Sequence, residues 1–285
     1  MTITKAVIPV AGLGTRLLPA TKSQPKEMLP IGRKPIVQFV VEELADAGLH
    51  NILFVTGRKK RSIEDHFDFC PELGDNSMER TFPENLSFFY IRQTTPNGLG
   101  DAISYAEKFV GKDSFAVALG DSVIRGGNHS SLLSRMMDVH HNEKAGATVA
   151  FMEVEEDDVR KYGIAKPKGR TGATFEVEEL IEKPHPSEAP SRLAISARYV
   201  FDPVIFEAIK RTPAGRKGEL EITDAMNTLL KMGRKVIGVK LRNDEHRYDV
   251  GGFESYFKAF LDFALEDPEY GYMVRQYMRK KLKEV

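Results

Sequence analysis

The stretch KAVIPVAGLGTR at residues 5–16 joins a short apolar run to a glycine-rich turn. The run Lys5 to Val10 predicts a buried strand, because it is short, apolar and bounded by glycine. In the turn that follows, several backbone N–H groups can approach one phosphate without interference from a Cβ atom. Arg16 and Lys26 would add charge-assisted donors to the same anion. This pattern predicts a phosphate-binding loop, with a tight connection that binds nothing as the alternative.

Strand-like and helix-like segments alternate through the first half of the chain. The predicted strands are Lys5 to Val10, Asn51 to Thr56, Ser87 to Gln93 and Phe115 to Leu119. The predicted helices are Pro35 to Ala47, Arg61 to Phe67 and Gly100 to Phe109. Such alternation is typical of an α/β fold, in which helices connect the strands of one sheet.

Shorter strand-like segments begin at Thr148, and the glycines and prolines between them favour mixed or antiparallel pairing. The predicted strands are Thr148 to Val154, Gly163 to Lys166, Thr174 to Ile181, Leu193 to Phe201 and Lys235 to Leu241. The predicted helices are Pro203 to Lys210, Ile222 to Met232, Phe253 to Leu265 and a basic helix after Pro268. The spacing of Phe253, Phe257 and Phe260 predicts core packing. Residues 71–85 are interpreted as a surface loop, either a lid or an insertion without function.

The composition indicates a globular protein without a strong overall field. The 285 residues carry 41 Lys and Arg against 41 Asp and Glu, for a net charge of zero. Zero net charge gives no long-range attraction to nucleic acid or to an anionic membrane, so we expect neither as a partner. Because the N-terminal apolar run is too short for a signal sequence or a membrane span, and Cys70 is the only cysteine, we expect a cytoplasmic location.

Two aspartates are candidate metal ligands. Asp121 follows the apolar strand Phe115 to Leu119, and in open α/β sheets ligands bind at the carboxyl ends of the strands. A carboxylate there suits magnesium, which usually shares its remaining ligands with substrate phosphates. Asp249 is a second candidate after a late strand. The alternative for each aspartate is a structural role in a turn.

Two further groups of polar residues end predicted strands. Glu182 and Lys183 precede Pro184, and they could bind a sugar hydroxyl and a second phosphate or simply be solvated. Gln93 ends the third strand, and Gly98 precedes the next helix, where an amide could read a base and a glycine could permit close approach. Alternatively, Gln93 and Gly98 only shape the loop between the strand and the helix and bind no ligand.

Several common binding and catalytic motifs are absent from the sequence. The dinucleotide-binding pattern requires a third glycine where this chain has Leu17, and a Walker loop requires Ser or Thr where Gly111-Lys112 is followed by Asp113. No Gly-x-Ser-x-Gly or His-Glu-x-x-His motif is present, which disfavours acyl transfer and zinc hydrolysis.

Taken in order, these motifs closely resemble those of the sugar-1-phosphate nucleotidylyltransferase family, in particular its bacterial members that use UTP and glucose 1-phosphate. The resemblance covers almost the whole chain. It is carried by Ala6 to Lys22, Pro25 to Pro30, Gln93, Gly98 to Gly100, Asp121, Tyr162-Gly163, Glu182 to Pro184, Arg198 to Val200, Gly218-Glu219, Ile222 to Ala225 and Asp249 to Gly251.

The resemblance implies a Rossmann-like nucleotidyltransferase fold, with a mixed, mostly parallel central sheet flanked by helices. It implies an enzyme in which glucose 1-phosphate attacks the α-phosphorus of UTP in line with the leaving group. UDP-glucose and pyrophosphate would be the products, Mg²⁺ (magnesium) the cofactor, and no covalent enzyme intermediate would form.

The same resemblance implies a role for each matching residue. The phosphate loop would consist of Ala11, Gly12, Gly14 and Thr15, with Arg16 on the departing pyrophosphate and Lys26 on the reacting phosphates. The residues that read uracil would be Glu27, Gln93 and Gly98. The sugar would be bound by Gly163 and Glu182, its phosphate by Lys183, and the Mg²⁺ by Asp121 and Asp249.

One departure leaves the nucleotide open. Leu119-Gly120-Asp121 stands where the uridylyltransferases of this family have Leu-Pro-Asp, and it is closer to the glucose-1-phosphate thymidylyltransferases. The alternatives are therefore a thymidylyltransferase or another sugar-1-phosphate nucleotidylyltransferase, and a catalytically weak regulatory paralogue. A dehydrogenase is more remote, because the third glycine is missing.

We expect a single nucleotidyltransferase domain over residues 1–285. Its nucleotide-binding half would span about 1–125, its sugar-binding half about 126–252 and its C-terminal helices 253–285. The resemblance and the apolar C-terminal helices favour a homo-oligomer, either a dimer or a tetramer.

Overall fold

The apolar run that begins the chain forms the strand β1 (Lys5–Pro9) in the computed structural model, which describes residues 3–68, 85–126, 131–215 and 218–284. β1 pairs in parallel with β4 (Asn51–Thr56) on one side and with β6 (Phe115–Ala118) on the other. Because it has neighbours at both edges and helices on both faces, Ala6, Val7 and Ile8 are completely buried.

The remaining strands are β2 (Pro30–Ile31), β3 (Lys34–Pro35), β5 (Ser87–Arg92), β7 (Ser122–Arg125), β8 (Ala147–Glu153), β9 (Gly163–Pro167), β10 (Thr174–Glu182), β11 (Leu193–Phe201), β12 (Val236–Lys240) and β13 (His246–Asp249). The helices are α1 (Ile36–Asp46), α2 (Arg61–Phe67), α3 (Leu99–Ser104), α4 (Glu107–Val110), α5 (Leu132–Glu143), α6 (Val204–Arg211), α7 (Ile222–Lys231), α8 (Phe253–Leu265) and α9 (Gly271–Lys281).

Nine strands form one sheet in the order β5-β4-β1-β6-β11-β8-β12-β10-β9. β11 runs antiparallel to β6 and β8, and β10 runs antiparallel to β12 and β9, while the other strands share one direction. This mixed sheet confirms the predicted α/β fold class. Its strands come from both halves of the chain, so the two halves share one sheet.

Helices cover both faces of the sheet. Successive side chains of β1 alternate between the faces, so Val7 belongs to one core cluster and Ile8 to the other. The cluster around Ile8 contains residues of α1, α2 and α5, and the cluster around Val7 contains residues of α3, α6 and α7. The resulting three layers leave the ends of the strands open for a site.

The segment predicted as one helix over Gly100 to Phe109 is two short helices, α3 and α4, and the single-helix prediction was wrong. Between them the backbone N–H groups of Tyr105 and Ala106 donate to carbonyls three residues earlier, at Ala102 and Ile103. These tighter turns interrupt the α-helical pattern.

Several elements were not predicted, among them α5, β7, β13 and the two-residue strands β2 and β3. α5 was missed because its buried face includes His140, which weakens the apolar pattern. β7 and β13 were missed because each has only four residues, and they form a separate two-stranded antiparallel sheet. This small sheet follows Asp121 and ends at Asp249, so it determines where both aspartates lie.

The prediction that Phe253, Phe257 and Phe260 pack in the core was wrong. These side chains of α8 are 37%, 57% and 38% exposed, and α8 instead packs through Ala259 and Phe263 against a cluster that includes Val250. That side of the helix packs against β2 and β13 of the two small sheets. The expected loop or lid at residues 71–85 lies outside the described residues, apart from Asn85. Across the described ranges, no helix combines the length and apolar character that crossing a membrane requires.

Candidate active site

The loops that follow four parallel strands meet at one edge of the sheet. β1, β4, β5 and β6 run in the same direction, so their carboxyl ends lie side by side. The loops after them contain, in turn, residues 11–16, Lys60, Gln93 with Gly98, and Asp121. Ligands bind at this edge in open α/β sheets, so the predicted phosphate loop and the predicted metal ligand are on the same side.

A cleft of about 510 Å³ opens at this edge. It is lined by ten of the residues that the sequence analysis selected, namely Ala11, Gly12, Gly14, Thr15, Arg16, Lys26, Glu27, Gln93, Gly98 and Asp121. The structure therefore places the residues selected for phosphate, for base and for metal in one cavity.

The glycine-rich loop has a backbone that depends on its glycines. Gly14 adopts a φ of 66°, in the left-handed region that other residues rarely occupy. The Thr21 hydroxyl donates a hydrogen bond to the Gly14 carbonyl at 2.7 Å, which fixes the turn from below. Arg16 is exposed at the rim, and its Nη2 would lie 3.3 Å from a Cβ placed on Gly251. Arg16 therefore lies next to the loop that follows Asp249.

Four charged side chains of alternating sign lie below the glycine loop. The Lys26 ammonium forms an ion pair with Asp121, and the Lys60 ammonium contacts Oε2 of Glu27 at 2.7 Å. Glu27 and Lys60 are only 2% and 4% exposed. Buried charges of this kind persist only when they are paired, so the two pairs support one another.

The pairing determines which groups are charged. Burial opposes the charged form of Lys26, but the attraction of Asp121 and Glu27 outweighs burial and raises the Lys26 pKa. Burial likewise opposes ionisation of Asp121, but Lys26 and Arg247 more than offset it and lower the Asp121 pKa. Burial raises the pKa of Glu27 and lowers that of Lys60, against the attraction between the two. Lys26 and Asp121 are thus both charged at neutral pH.

Asp249 is brought close to Asp121 by the small sheet of β7 and β13. Asp249 pairs opposite Ser122, and the backbone N–H of Val250 donates to the carbonyl of Asp121 at 3.0 Å. Arg247 orients both strands, because its Nη2 donates to Oδ1 of Asp249 at 3.1 Å and its Nε donates to the Ser122 hydroxyl at 2.8 Å.

The amide of Gln93 is held at the opposite end of the cleft. Its Nε2 donates to Oδ2 of Asp101 at 2.6 Å and to the Gly98 carbonyl at 3.4 Å. Gly98 adopts a φ of 104°, and a Cβ there would lie 2.6 Å from the Leu220 carbonyl oxygen. Glycine is therefore required at this position by both its conformation and its packing.

The predicted sugar-binding residues lie next to this cleft. Gly163 at the start of β9 pairs with Glu182 at the end of β10. Oε1 of Glu182 contacts the Lys183 ammonium at 2.7 Å, and Oε2 accepts a hydrogen bond from the Thr223 hydroxyl at 2.7 Å. Among the described residues that line the cleft, Gly163, Glu182, Lys183 and Asp249 are not included. Glu221 does line the cleft, and its carboxylate attracts the Lys183 ammonium.

The sequence analysis did not select Lys60, Asp101 or Arg247. Lys60 and Asp101 gave no local signal, because their partners are 33 and 8 residues away along the chain. Arg247 had a usable signal. It precedes Asp249 by two positions, so in a strand the two side chains share a face.

Gly120 is packed tightly against the core beneath the site. A Cβ there would lie 2.6 Å from Cγ1 of Val10 and 3.2 Å from Cγ2 of Ile8, both in the core. We expect Gly120→Ala to lower the free energy of unfolding by about 1–3 kcal/mol, the usual cost of overpacking. Urea denaturation measures this difference. Gly12→Ala is the control, because a Cβ on Gly12 meets nothing within 4 Å, and equal stability losses in the two variants would contradict the packing argument.

Comparison with known proteins agrees with this geometry. The sequence profile of the nucleotidyl transferase family matches residues 5–266. A UTP–glucose-1-phosphate uridylyltransferase of Bacillus subtilis is 42% identical over 99% of this chain and 96% of its own. A UTP-bound UGPase from Acinetobacter baumannii superimposes with a TM-score of 0.88 at 34% identity, covering 97% of this chain and 99% of its own. A UDP-glucose pyrophosphorylase complexed with UDP-glucose has a TM-score of 0.85 at 38% identity, covering 92% of this chain and 98% of its own.

These matches extend over nearly the full chain, and they confirm the family that the motifs predicted. On the agreement of motifs, fold and relatives, the chain belongs to the nucleotidyl transferase family.

Proposed function

We propose that this protein transfers the uridylyl group of UTP to glucose 1-phosphate, with UDP-glucose and pyrophosphate as products. The observation that carries the proposal is the cleft at the carboxyl edge of the sheet, where the glycine loop, Lys26 and Asp121 converge. The full-length similarity to proteins named for this reaction supports the same substrates.

The chemistry requires that two polyanions approach each other. The phosphate oxygen of glucose 1-phosphate must attack the α-phosphorus of UTP in line with the leaving pyrophosphate, so catalysis consists mainly of neutralising and aligning charge. We assign the triphosphate to the backbone N–H groups of residues 11–15. Arg16 at the rim would stabilise the pyrophosphate, and Lys26 would donate to the reacting phosphates.

We propose Mg²⁺ as the cofactor, held by Asp121 and Asp249. Within the described ranges, no three His, Cys, Asp or Glu side chains gather into one cluster. One carboxylate directly before β7 and another at the end of its partner strand β13 suit a cation that takes its other ligands from substrate phosphates and water, as Mg²⁺ does. When bound, the ion would neutralise phosphate charge during transfer.

We assign the sugar to Gly163 and Glu182 and its phosphate to Lys183. Because Thr223 holds one oxygen of Glu182, the other oxygen would accept from a sugar hydroxyl once Lys183 turns to the phosphate. A Cβ on Gly163 would lie 2.8 Å from Cδ1 of Ile195 and 3.2 Å from Oε2 of Glu182, so glycine lets the backbone of β9 come close to Glu182.

We expect Lys183→Ala to lower kcat/KM for glucose 1-phosphate by about 10- to 100-fold, the usual worth of one charge-assisted hydrogen bond to a substrate. The loss should appear mainly in the KM for glucose 1-phosphate, with the KM for UTP changed little. Lys166→Ala is the control, because Lys166 of β9 also pairs with a glutamate of β10, Glu178, at 2.9 Å. Equal kinetics for both variants would contradict the assignment of Lys183.

The experiment that tests the proposed function is pyrophosphate release with glucose 1-phosphate and Mg²⁺, comparing UTP, dTTP, CTP, ATP and GTP at equal concentration. We expect UTP to be preferred. A preference for dTTP would assign the protein to the thymidylyltransferases, an alternative that Gly120 keeps open. If none of the five nucleotides supports pyrophosphate release although the protein binds UDP-glucose, the protein is a regulatory paralogue.

We further propose that the chain forms a single catalytic domain and assembles as a homo-oligomer in the cytoplasm. The sheet shared by both halves supports the single domain, and the single cysteine supports a reducing compartment. The exposed apolar side chains on α8 and α9, Phe257, Met273 and Tyr277, favour self-association. Sedimentation at micromolar concentration should show a species larger than the 32.0 kDa monomer, and a monomer alone would contradict the assembly.

A further inference from the structure

Gln93 is a buried amide whose hydrogen-bond donors are already engaged. Nε2 carries two hydrogens, one donated to Oδ2 of Asp101 at 2.6 Å and the other directed at the Gly98 carbonyl at 3.4 Å. Its backbone N–H donates to the carbonyl of Thr56 at 2.8 Å, and the residue is 3% exposed. The side chain is therefore fixed at both its backbone and its amide nitrogen.

The two partners also determine which way the amide faces. The oxygen and the nitrogen of a glutamine amide are assigned from their neighbours, because the two ends have nearly the same shape. An ionised aspartate and a backbone carbonyl both accept hydrogen bonds only. If the amide were reversed, its oxygen would face two acceptors, so the observed orientation is the stable one. The group that remains for a ligand in the cleft is Oε1, an acceptor.

An amide that presents only an acceptor distinguishes between pyrimidine bases. Uracil and thymine carry a hydrogen on N3, which is a donor, whereas N3 of cytosine is an acceptor. Facing cytosine, Oε1 of Gln93 would leave two acceptors opposed in a dry site, a strongly unfavourable arrangement.

We propose that Asp101 is a specificity-determining residue of this site. It fixes the Gln93 amide so that the cleft accepts bases with an N3–H donor and rejects cytosine. The inference rests on the proposed function and on the role that the family resemblance implies for Gln93, that of reading uracil. Asp101 is a positioning residue, because it acts on the base only through Gln93.

The backbone around Asp101 is rigid enough for this role. Asp101 lies in the first turn of α3, and the Ser104 hydroxyl donates to its carbonyl at 2.6 Å. The start of α3 is anchored to Leu220, whose N–H donates to the Asn97 carbonyl at 2.7 Å and whose carbonyl accepts from the Gly100 N–H at 2.8 Å. The carboxylate is thus supported from two sides.

The test is Asp101→Asn, assayed by pyrophosphate release with UTP, dTTP and CTP. An asparagine can accept from Gln93 or donate to it, so a reversed Gln93 amide would face one acceptor, the Gly98 carbonyl, instead of two. We expect the ratio of kcat/KM for UTP to that for CTP to fall by about 10- to 100-fold. The ratio for UTP to dTTP should stay within about twofold of wild type, because both bases carry the same N3–H group.

Two further variants keep the test decisive. Asp101→Ala removes the carboxylate and leaves the Gly98 carbonyl as the remaining acceptor, so it should also reduce the preference for UTP over CTP. Asp113→Asn is the control, since its carboxylate pairs with Lys5 at the opposite end of the sheet and should leave every ratio unchanged. A uniform loss with all three nucleotides, or an unchanged UTP to CTP ratio in both Asp101 variants, would overturn the proposal.

The two ideas fail in different ways. If the wild-type protein does not prefer a nucleotide with an N3–H pyrimidine, the proposed function is wrong. If wild type prefers UTP over CTP and the Asp101 variants keep that preference, the function stands and only the role of Asp101 is rejected.

Discussion

Asp121→Asn is expected to lower the turnover number by about 100- to 1,000-fold while the chain stays folded, the usual loss when one preorganised charged group is removed from a reacting centre. Asparagine has nearly the shape of aspartate, so the packing beside Gly120 is retained. The negative charge is lost, however, and with it both the proposed cation ligand and the ion-pair partner of Lys26.

Turnover would be measured by pyrophosphate release at saturating UTP and glucose 1-phosphate, and folding by circular dichroism. Binding of Mn²⁺ in the presence of UTP, followed by electron paramagnetic resonance, reports on the cation independently of activity and should weaken in the variant. Asp113→Asn, which alters an ion pair at the far end of the sheet, should change neither quantity. Turnover near that of wild type in folded Asp121→Asn would refute the assigned role.

Arg198→Leu is expected to lower the free energy of unfolding by about 3–5 kcal/mol, the usual cost of removing one partner from a buried ion pair. Arg198 is completely buried in β11. Its guanidinium contacts both carboxylate oxygens of Glu43 at 2.6–3.2 Å and donates to the Ser122 carbonyl at 2.8 Å. The substitution would leave the Glu43 carboxylate without its countercharge.

Urea denaturation would measure this effect, and a double variant would separate its parts. Arg198→Leu combined with Glu43→Leu should be more stable than Arg198→Leu alone, because no unpaired charge remains. Lys258→Leu breaks the exposed pair with Glu254 and should change the free energy of unfolding far less. If Arg198→Leu were as mild as Lys258→Leu, the buried pair would not contribute as argued.

Much of this fold was accessible from the sequence because its signals are local. The apolar runs of β1, β4 and β6 are short, buried on both faces and bounded by turn residues, so each could be read within its own window. The same is true of the glycine loop and of Asp121, since their order along parallel strands places them at one edge.

The features that escaped prediction depend on contacts between distant parts of the chain. Nothing in the sequence around Lys60 indicates a role, because its partner Glu27 is brought next to it only by the fold. In α8, apolar residues recur with the same helical spacing on the face that packs and on the face that remains exposed. Periodicity cannot distinguish these faces. Arg247 was missed for a different reason, because β13 is too short for its alternation to stand out.

The alternating charges of Asp121, Lys26, Glu27 and Lys60 sum to zero, so the floor of the cleft is electrically neutral. A triphosphate that enters this neutral floor keeps most of its own negative charge, with Arg16 at the rim as a nearby donor. The nucleotide must therefore carry its own counter-ion into the cleft, and free UTP should bind more weakly than its magnesium complex. A chain with no net charge can in this way bind a polyanionic substrate.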